Sequence, residues 1–303
     1  MRAAYLESTT TSERFYGPGT VDWDLKAGQI VLNQSTADHV YTRFTPTRPT
    51  YRPGLRPRLD AMVQGIVTPA MSERQKLHAI LAYAYGGWRK DCTEPPPKGT
   101  VWLNVIEEDI PRRGGGQCED RARLILCLCQ AAGIQARFIA SYIYYRPDEG
   151  YQRHGGHAIV EAFIEGGWAF CDSCWGFHCL HADGRMASLW DIVHSPDLVH
   201  RQPEHVCRAF GRDAEWYAWY RDEYLTDRQV ITLANYSAAD YARYDWTPIR
   251  YDHAKGSLSR TQLEESSEAL RGRLLREIGV PDEKVRGLCA PANSASGKGV
   301  IEA

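Results

Sequence analysis

A nine-residue run, Gly114-Gly115-Gly116-Gln117-Cys118-Glu119-Asp120-Arg121-Ala122, sets one cysteine between glycines and a long apolar, helix-like segment from Leu124 to Ala132. A reactive thiol belongs in such a place. A free thiol with a pKa of ~8.5 is only a few per cent ionised at neutral pH, whereas the N–H groups and partial positive charge of a helix N-terminus stabilise the thiolate. The glycines let a substrate carbonyl approach the backbone closely. Taken alone, Cys118 is equally the kind of small residue that proteins bury in their cores.

Two later segments supply partners for such a thiol. Gly155-Gly156-His157-Ala158-Ile159-Val160-Glu161-Ala162-Phe163-Ile164, then Glu165-Gly166-Gly167, then Trp168-Ala169-Phe170-Cys171-Asp172 reads as two strands joined by a glycine turn. Side chains alternate along a strand, so His157, Ile159, Glu161 and Phe163 share one face of the first, and Trp168, Phe170 and Asp172 share one face of the second. His157 and Asp172 can therefore meet. A cysteine at a helix start, a histidine early in one strand and an aspartate late in the next provide a nucleophile, a base and the group that orients the base.

Together these residues resemble the transglutaminase-like superfamily, a branch of the papain-like cysteine enzymes. The resemblance is carried by Gly-x-Cys-x-x-x-Ala (Gly116, Cys118, Ala122), Gly-Ile-x-Ala-Arg (Gly133, Ile134, Ala136, Arg137), His-Ala-x-Val-Glu (His157 to Glu161) and Gly-Trp-x-x-x-Asp (Gly167, Trp168, Asp172), in that order and with fitting gaps. A helix-like segment from Ser72 to Trp88 stands where the family has its preceding helix, so the resemblance spans approximately residues 65–180. Ile159 replaces a usual aromatic and Ser173 a common proline, and neither change removes a reactive group. The resemblance implies catalytic roles for Cys118, His157 and Asp172. It also implies an upstream tryptophan as an oxyanion donor, for which Trp88 is the candidate and Trp102 the lesser one. Core packing is the other role open to Trp88. Gln117 looks like a papain-type oxyanion glutamine, but its place beside Cys118 directs its side chain away.

One geometric tension stands in this reading. A two-residue turn at Gly166-Gly167 pairs Glu165 with Trp168 and sets Asp172 opposite Glu161, four residues from His157. At ~3.3 Å per residue that is beyond hydrogen-bond reach. Either the hairpin is bulged and sheared, as the family resemblance implies, or Glu161 is the orienting acid.

Composition limits what else the chain can be. With 303 residues it is long enough for one large packed domain or a core with additions. No segment approaches the roughly 18 apolar residues of a membrane span, and the Met1-Arg2-Ala3-Ala4-Tyr5-Leu6-Glu7-Ser8 start lacks the apolar run of a signal peptide. The net charge of −2, from 36 basic and 38 acidic side chains, gives no general field for nucleic acid or a membrane surface. Nine cysteines is an odd number, and Cys127, Cys129 and Cys171 fall inside core-like segments. The expectation is a reduced, cytoplasmic protein whose cysteines mostly serve as packing.

Along the chain, residues 1–60 are expected to form an N-terminal arm, irregular with short strands: one apolar segment, Gln29 to Asn33, precedes a proline-rich passage from Thr45 to Pro57. Residues 61–200 are the catalytic core. Within it Ser72 caps a helix that runs to Gly86-Gly87, Glu94 to Gly99 is a loop, Gln135 to Tyr145 is a strand, and Arg146 to Gly156 is a polar loop beside His157. Residues 201–288 are an aromatic-rich, mainly helical extension packed on the core. Trp216, Trp219 and Tyr220 lie at helical spacing there, Tyr236, Tyr241, Tyr244 and Trp246 follow, and Ser267 to Ile278 is amphipathic. Residues 289–303 are a flexible tail.

Cys171, Cys174, His178 and Cys179 invite a zinc reading, since thiolate and imidazole are tetrahedral zinc ligands. The first lies within the strand that carries Asp172 and no second knuckle follows, so no metal is expected. Glu107-Glu108-Asp109 and Glu119-Asp120 lack a calcium-loop pattern and read as solvated charge or as a helix N-terminal carboxylate.

The expected fold is therefore α+β, a papain/transglutaminase-like core in which a nucleophile helix packs on an antiparallel sheet. The expected chemistry is acyl transfer from an amide or other acyl carbonyl through a Cys118 thioester, with a peptide, protein or small acyl and amine substrate and no cofactor. An amine acceptor makes the protein a transferase, and water makes it a peptidase or amidase. A noncatalytic module that binds a peptide or partner in the same cleft is the alternative of a different class. Oligomeric state is not legible in the sequence.

Overall fold

In the computed structural model the described residues are 30–32, 34–41, 51–86, 90–93, 101–103, 105–143, 156–172, 174, 178–195, 199–200, 229–234, 238, 249–252, 257–260 and 276. In chain order they form β1 (Ile30–Val31), α1 (Gln34–Val40), α2 (Pro57–Ile66), α3 (Glu73–Tyr85), β2 (Val101–Trp102), α4 (Asp109–Arg112), α5 (Cys118–Ala131), β3 (Gln135–Ile143), β4 (Gly156–Ile164), β5 (Gly167–Cys171), β6 (Leu180–His181), α6 (Leu189–His194), β7 (Val199–His200), β8 (Gln229–Ala234), β9 (Ile249–Asp252) and β10 (Ser257–Arg260).

The central sheet is antiparallel throughout, in the order β1-β8-β3-β4-β5. Its two faces follow from strand alternation. Ala136, Phe138 and Ala140 of β3, Ala158, Val160, Ala162 and Ile164 of β4, and Ala169 and Cys171 of β5 share one core with α5. Small residues at many of these positions let the helix lie close to the sheet. Leu124, Ile125, Leu126 and Leu128 of α5 are fully buried, each contributing ~1.5–3 kcal/mol by transfer from water. From Leu124 to Cys129 the helix can be apolar all round because α2 and α3 cover its other side. On the opposite face of the sheet, Ile139, Ile159 and Phe170 pack with Val40 of α1 and with Leu189 and Ile192 of α6.

Helix starts follow local chemistry. Ser72 Oγ accepts from the Gln75 N–H at 3.2 Å and Gln75 Oε1 accepts from the Ser72 N–H at 2.8 Å, a reciprocal cap that begins α3 where the sequence places it. Pro57, read from the sequence as part of an irregular arm, instead opens α2. At the first helical position its missing N–H costs nothing and its fixed φ suits the helix. The arm also contributes a helix, α1, besides the expected short strand at Ile30–Val31.

The extension expected to be mainly helical contributes strands where it is described. Gln229-Val230-Ile231-Thr232-Leu233-Ala234 pairs with both β1 and β3, and β9 pairs with β10 and β2. Its β-branched Val, Ile and Thr suit a strand within a sheet; the aromatic spacing elsewhere in the extension gave no signal for it. The expected helix at Trp216–Tyr220, the loop at Glu94–Gly99 and the tail lie outside the described residues, as does the expected helix at Ser267–Ile278 except for Arg276, which is helical; of the loop expected from Arg146 to Gly156 only Gly156 is described, and it opens β4. No helix among the described residues is long and apolar enough to cross a membrane.

Candidate functional site

Cys118 is the first residue of α5, and three interactions fix that helix start. One carboxylate oxygen of Asp120 accepts from the Gln117 N–H at 3.1 Å and the Leu103 N–H at 2.9 Å, while Arg123 donates to the other at 2.8 Å. Gly116 is required by this arrangement, because a Cβ there would collide with the Asp120 carboxylate. The glycine before the cysteine thus makes room for the acid that caps the helix, a use the sequence did not suggest.

The hairpin carrying His157 resolves the geometric tension in a way neither sequence alternative anticipated. Its turn is Glu165-Gly166, not Gly166-Gly167, with Ile164 opposite Gly167, Phe163 opposite Trp168 and Glu161 opposite Phe170. Glu165 has φ 51° and Gly166 φ 82°, the left-handed pair that a two-residue type I′ hairpin uses. Glu165 tolerates that conformation because α3 holds it: Glu73 Oε2 accepts its N–H at 2.7 Å, and Arg74 donates to its carboxylate at 3.1 Å through Nε and again through Nη2. The pairing ends at Val160 opposite Cys171. Asp172 is then diagonal to His157 on the same face, within side-chain reach without a bulge. His157 Nε2 lies 2.7 Å from Asp172 Oδ2, and both residues are buried.

Cys118 closes the group. Its thiol is only partly exposed and is held well below the usual thiol range, chiefly by a hydrogen bond from Cys174; burial opposes this, and His157 and the Ala158 N–H reinforce it. His157 is raised to about 10: burial pushes it down, but the charge and hydrogen bond of Asp172, with help from Cys118, outweigh that. A thiolate facing an imidazolium is the protonation state these directions favour. The contrast with other thiols is sharp. Burial pushes Cys129 up to about 12 and raises Cys127 and Cys171 as well.

Glu161, the alternative orienting acid, is committed elsewhere. It accepts from Arg137 Nε at 2.9 Å and Nη2 at 2.6 Å, from the Tyr41 hydroxyl at 3.1 Å and from the Leu189 N–H at 2.6 Å. Arg137 in turn stacks on the Trp168 ring at 3.9 Å and the Tyr41 ring at 4.6 Å, and donates to the Val40 carbonyl. Three of the four sequence motifs therefore give a residue to one buried cluster that braces the sheet rather than to the thiol.

The acidic run Glu107-Glu108-Asp109 is buried rather than solvated. Glu107 lies between Arg56, at 2.7 Å, and Arg123, at 2.9 Å; Glu108 accepts from Arg56 Nε at 3.0 Å, and Asp109 from Arg58 at 2.6 Å. Local sequence carries little sign of this, because apart from Arg112, 3.4 Å from Asp109, the partners come from distant segments. Glu119 flanks Arg123 at 3.8 Å.

The zinc pattern does not converge. Cys171 is buried in the core on the α5 side of the sheet, Cys179 in the core on the other side, and His178 stacks on His78 at 4.8 Å between centroids. Among the described residues the donors that do converge are His157, Asp172 and Cys174, all within 4.8 Å of one another. The 2.7 Å hydrogen bond between His157 and Asp172 already engages two of these three groups with each other. Cys174 is the residue that sequence reasoning did not connect to the thiol. Its backbone N–H donates to Asp172 Oδ1 at 2.7 Å, which turns the chain back toward Cys118. The available signal was its spacing, two residues beyond the aspartate. Trp88 and the aromatic residues Trp216, Trp219, Tyr220, Tyr236, Tyr241, Tyr244 and Trp246 lie outside the described residues, and Trp102 lies in β2.

Residues 60–173 match the family model described as the transglutaminase-like superfamily, a superfamily that usually holds cysteine enzymes. No curated protein and no solved structure matches the chain significantly.

Proposed function

Since residues 60–173 of this chain form a transglutaminase-like domain, we propose that the protein is a thiol acyltransferase working through a thioester on Cys118. The observation that supports this most is the chain of contacts from the lowered Cys118 thiol through His157 to Asp172. In the resting state the proton already sits on His157. The thiolate attacks the carbonyl carbon of an amide, and the oxyanion accepts from the backbone N–H of Cys118, a donor contributing ~3 kcal/mol. His157 then gives its proton to the departing amine, and the thioester remains. An incoming amine passes a proton to the now neutral His157 as it attacks, and the Cys118 thiolate leaves. Water can follow the same path. The hydrolytic reading is therefore kept as the second arm of the test.

Two measurements check this. Iodoacetamide should alkylate Cys118 faster than the other eight cysteines, and intact mass after incubation with a library of glutamine-containing peptides should show an acyl adduct that maps to Cys118. Adding a primary amine should divert the acyl group into an amide product. Collapse to the free acid at one rate, with or without amine, assigns hydrolysis. Slow alkylation together with no adduct assigns a binding module.

A further inference from the structure

Cys174 stands out because nothing in the acyl-transfer step consumes it. Its thiol is hydrogen-bonded to Cys118, its N–H is tied to Asp172 at 2.7 Å, and its sulfur lies within 4.8 Å of the ligand atoms of both His157 and Asp172. Cys92, Cys118 and Cys174 are partly exposed, whereas Cys127, Cys129, Cys171 and Cys179 are buried. Two partly exposed cysteines in contact, one at a helix N-terminus and one on a turn, combine the proximity that disulfide closure needs with an opening for a molecule as small as a peroxide.

We propose that Cys118 and Cys174 form a peroxide-oxidisable pair that closes into a reversible disulfide and so switches the nucleophile off. The claim of a pair stands on contact and exposure; its regulatory consequence rests on the acyl-transfer reading. In the first step the Cys118 thiolate attacks the outer oxygen of a hydroperoxide. The O–O bond breaks, the leaving alkoxide or hydroxide takes the proton of His157, and Cys118 becomes a sulfenic acid. In the second step Cys174 gives its proton to His157 and its sulfur attacks the Cys118 sulfur. The S–O bond breaks, and hydroxide leaves as water with the proton from His157. Two thiols lose two electrons, one peroxide gains two, and the products are a disulfide, an alcohol or water, and a second water.

The order of these steps is set by the site. Cys174 is held in the thiol form first by its hydrogen bond to Cys118, then by burial and the Asp172 charge. Oxidising Cys118 to a neutral sulfenic acid removes the first of these, so Cys174 becomes the better nucleophile only after its target exists. The disulfide also protects Cys118 from the irreversible sulfinic and sulfonic states.

The test uses the full-length chain with hydrogen peroxide in slight excess, read by peptide mapping after alkylation under denaturing conditions. The wild-type protein should lose two hydrogens in mass, give a cross-linked peptide containing Cys118 and Cys174, and regain both thiols with dithiothreitol. Under the same treatment Cys174→Ser should carry two or three added oxygens on Cys118 that dithiothreitol does not remove. If wild-type Cys118 instead reaches the sulfinic state while Cys174 remains a free thiol, or Cys118 cross-links to another cysteine, the pair is refuted. These readouts are masses and require no turnover, so they fail independently of the acyl-transfer assignment; loss and recovery of acyl adduct formation alongside the disulfide tests the regulatory consequence.

Discussion

Two clusters of buried charge meet on α5, and they differ in what their protons can do. At the helix flank, Arg56 and Arg123 share Glu107, Arg56 also donates to Glu108 and to the Ala238 carbonyl at 3.1 Å, and Arg123 also donates to Asp120 and to the Val105 carbonyl at 3.0 Å. Arg56, Arg123 and Glu107 each have more than one partner, and Glu108 is held by Arg56. Arginine does not deprotonate in a protein, so this cluster holds its charges fixed. At the helix start, Cys118, His157 and Asp172 form a chain in which a thiol is lowered and an imidazole raised, so a proton can change places. Buried charge alone does not mark a reactive site; a buried group whose protonation can change does. Asp120 joins the two, since it is gripped by Arg123 and grips the amide that precedes Cys118. The fixed cluster anchors the mobile one.

The comparison breaks most visibly if Cys118 is removed. Cys118→Ala should lower acyl transfer by at least ~10⁴-fold, His157→Ala should do the same, and the double variant should be scarcely worse, because the two act as a unit. Thermal unfolding of Cys118→Ala should stay close to wild type. Rates that multiply independently in the double variant would count against the assignment.

Arg123→Met should reverse the pattern. It leaves Glu107 and Asp120 buried without a principal partner and should destabilise the fold by roughly 3–5 kcal/mol, read by denaturant titration. If its stability is unchanged, the cluster does not anchor the helix start.

The smallest and sharpest contrast is between the two acids of the β4–β5 hairpin. Asp172→Asn should cost acyl transfer roughly a hundredfold less than loss of the nucleophile and should change the pH profile. With Asp172 ionised, His157 sits at about 10, so the alkaline limb of kcat/KM falls there. Removing the carboxylate charge takes away the largest raising influence and leaves burial, which favours the neutral ring, so the limb should move down in pH. Glu161→Gln should lower the melting temperature, because it weakens the Arg137 pair, and should leave the limb in place. A limb that moves with Glu161 and not with Asp172 would falsify the orienting role.

Much of the core was legible because it is periodic or local. The reciprocal cap at Ser72, the apolar helix after Cys118 and the alternation through His157 to Glu161 each show in a few consecutive residues, and each recurs in the structure. What was read wrongly depends on partners far along the chain. Of the two readings of the acidic run at Glu107 to Asp109, solvated charge fails because Arg56, Arg58 and Arg123 are not its neighbours in sequence, while a helix N-terminal carboxylate fits Asp109 in the first turn of α4. Gly116 looked like a window for substrate because its need for space comes from Asp120.

The hairpin shows where the boundary lies. That His157 and Asp172 share a face follows from the two-residue repeat of any strand and was determined by the sequence. Whether they stand close enough to bond was not, because moving the turn by one residue changes which residues face each other. The turn is settled at Glu165-Gly166 by Glu73 and Arg74, the latter 91 residues away in the chain. Cys174 belongs to the same class: its identity was plain in the sequence, but its contact with Cys118 exists only once α5, β4 and β5 have packed. Residue types and parity are covalent and travel with the chain; register and meeting points are decided by packing, which no local pattern encodes.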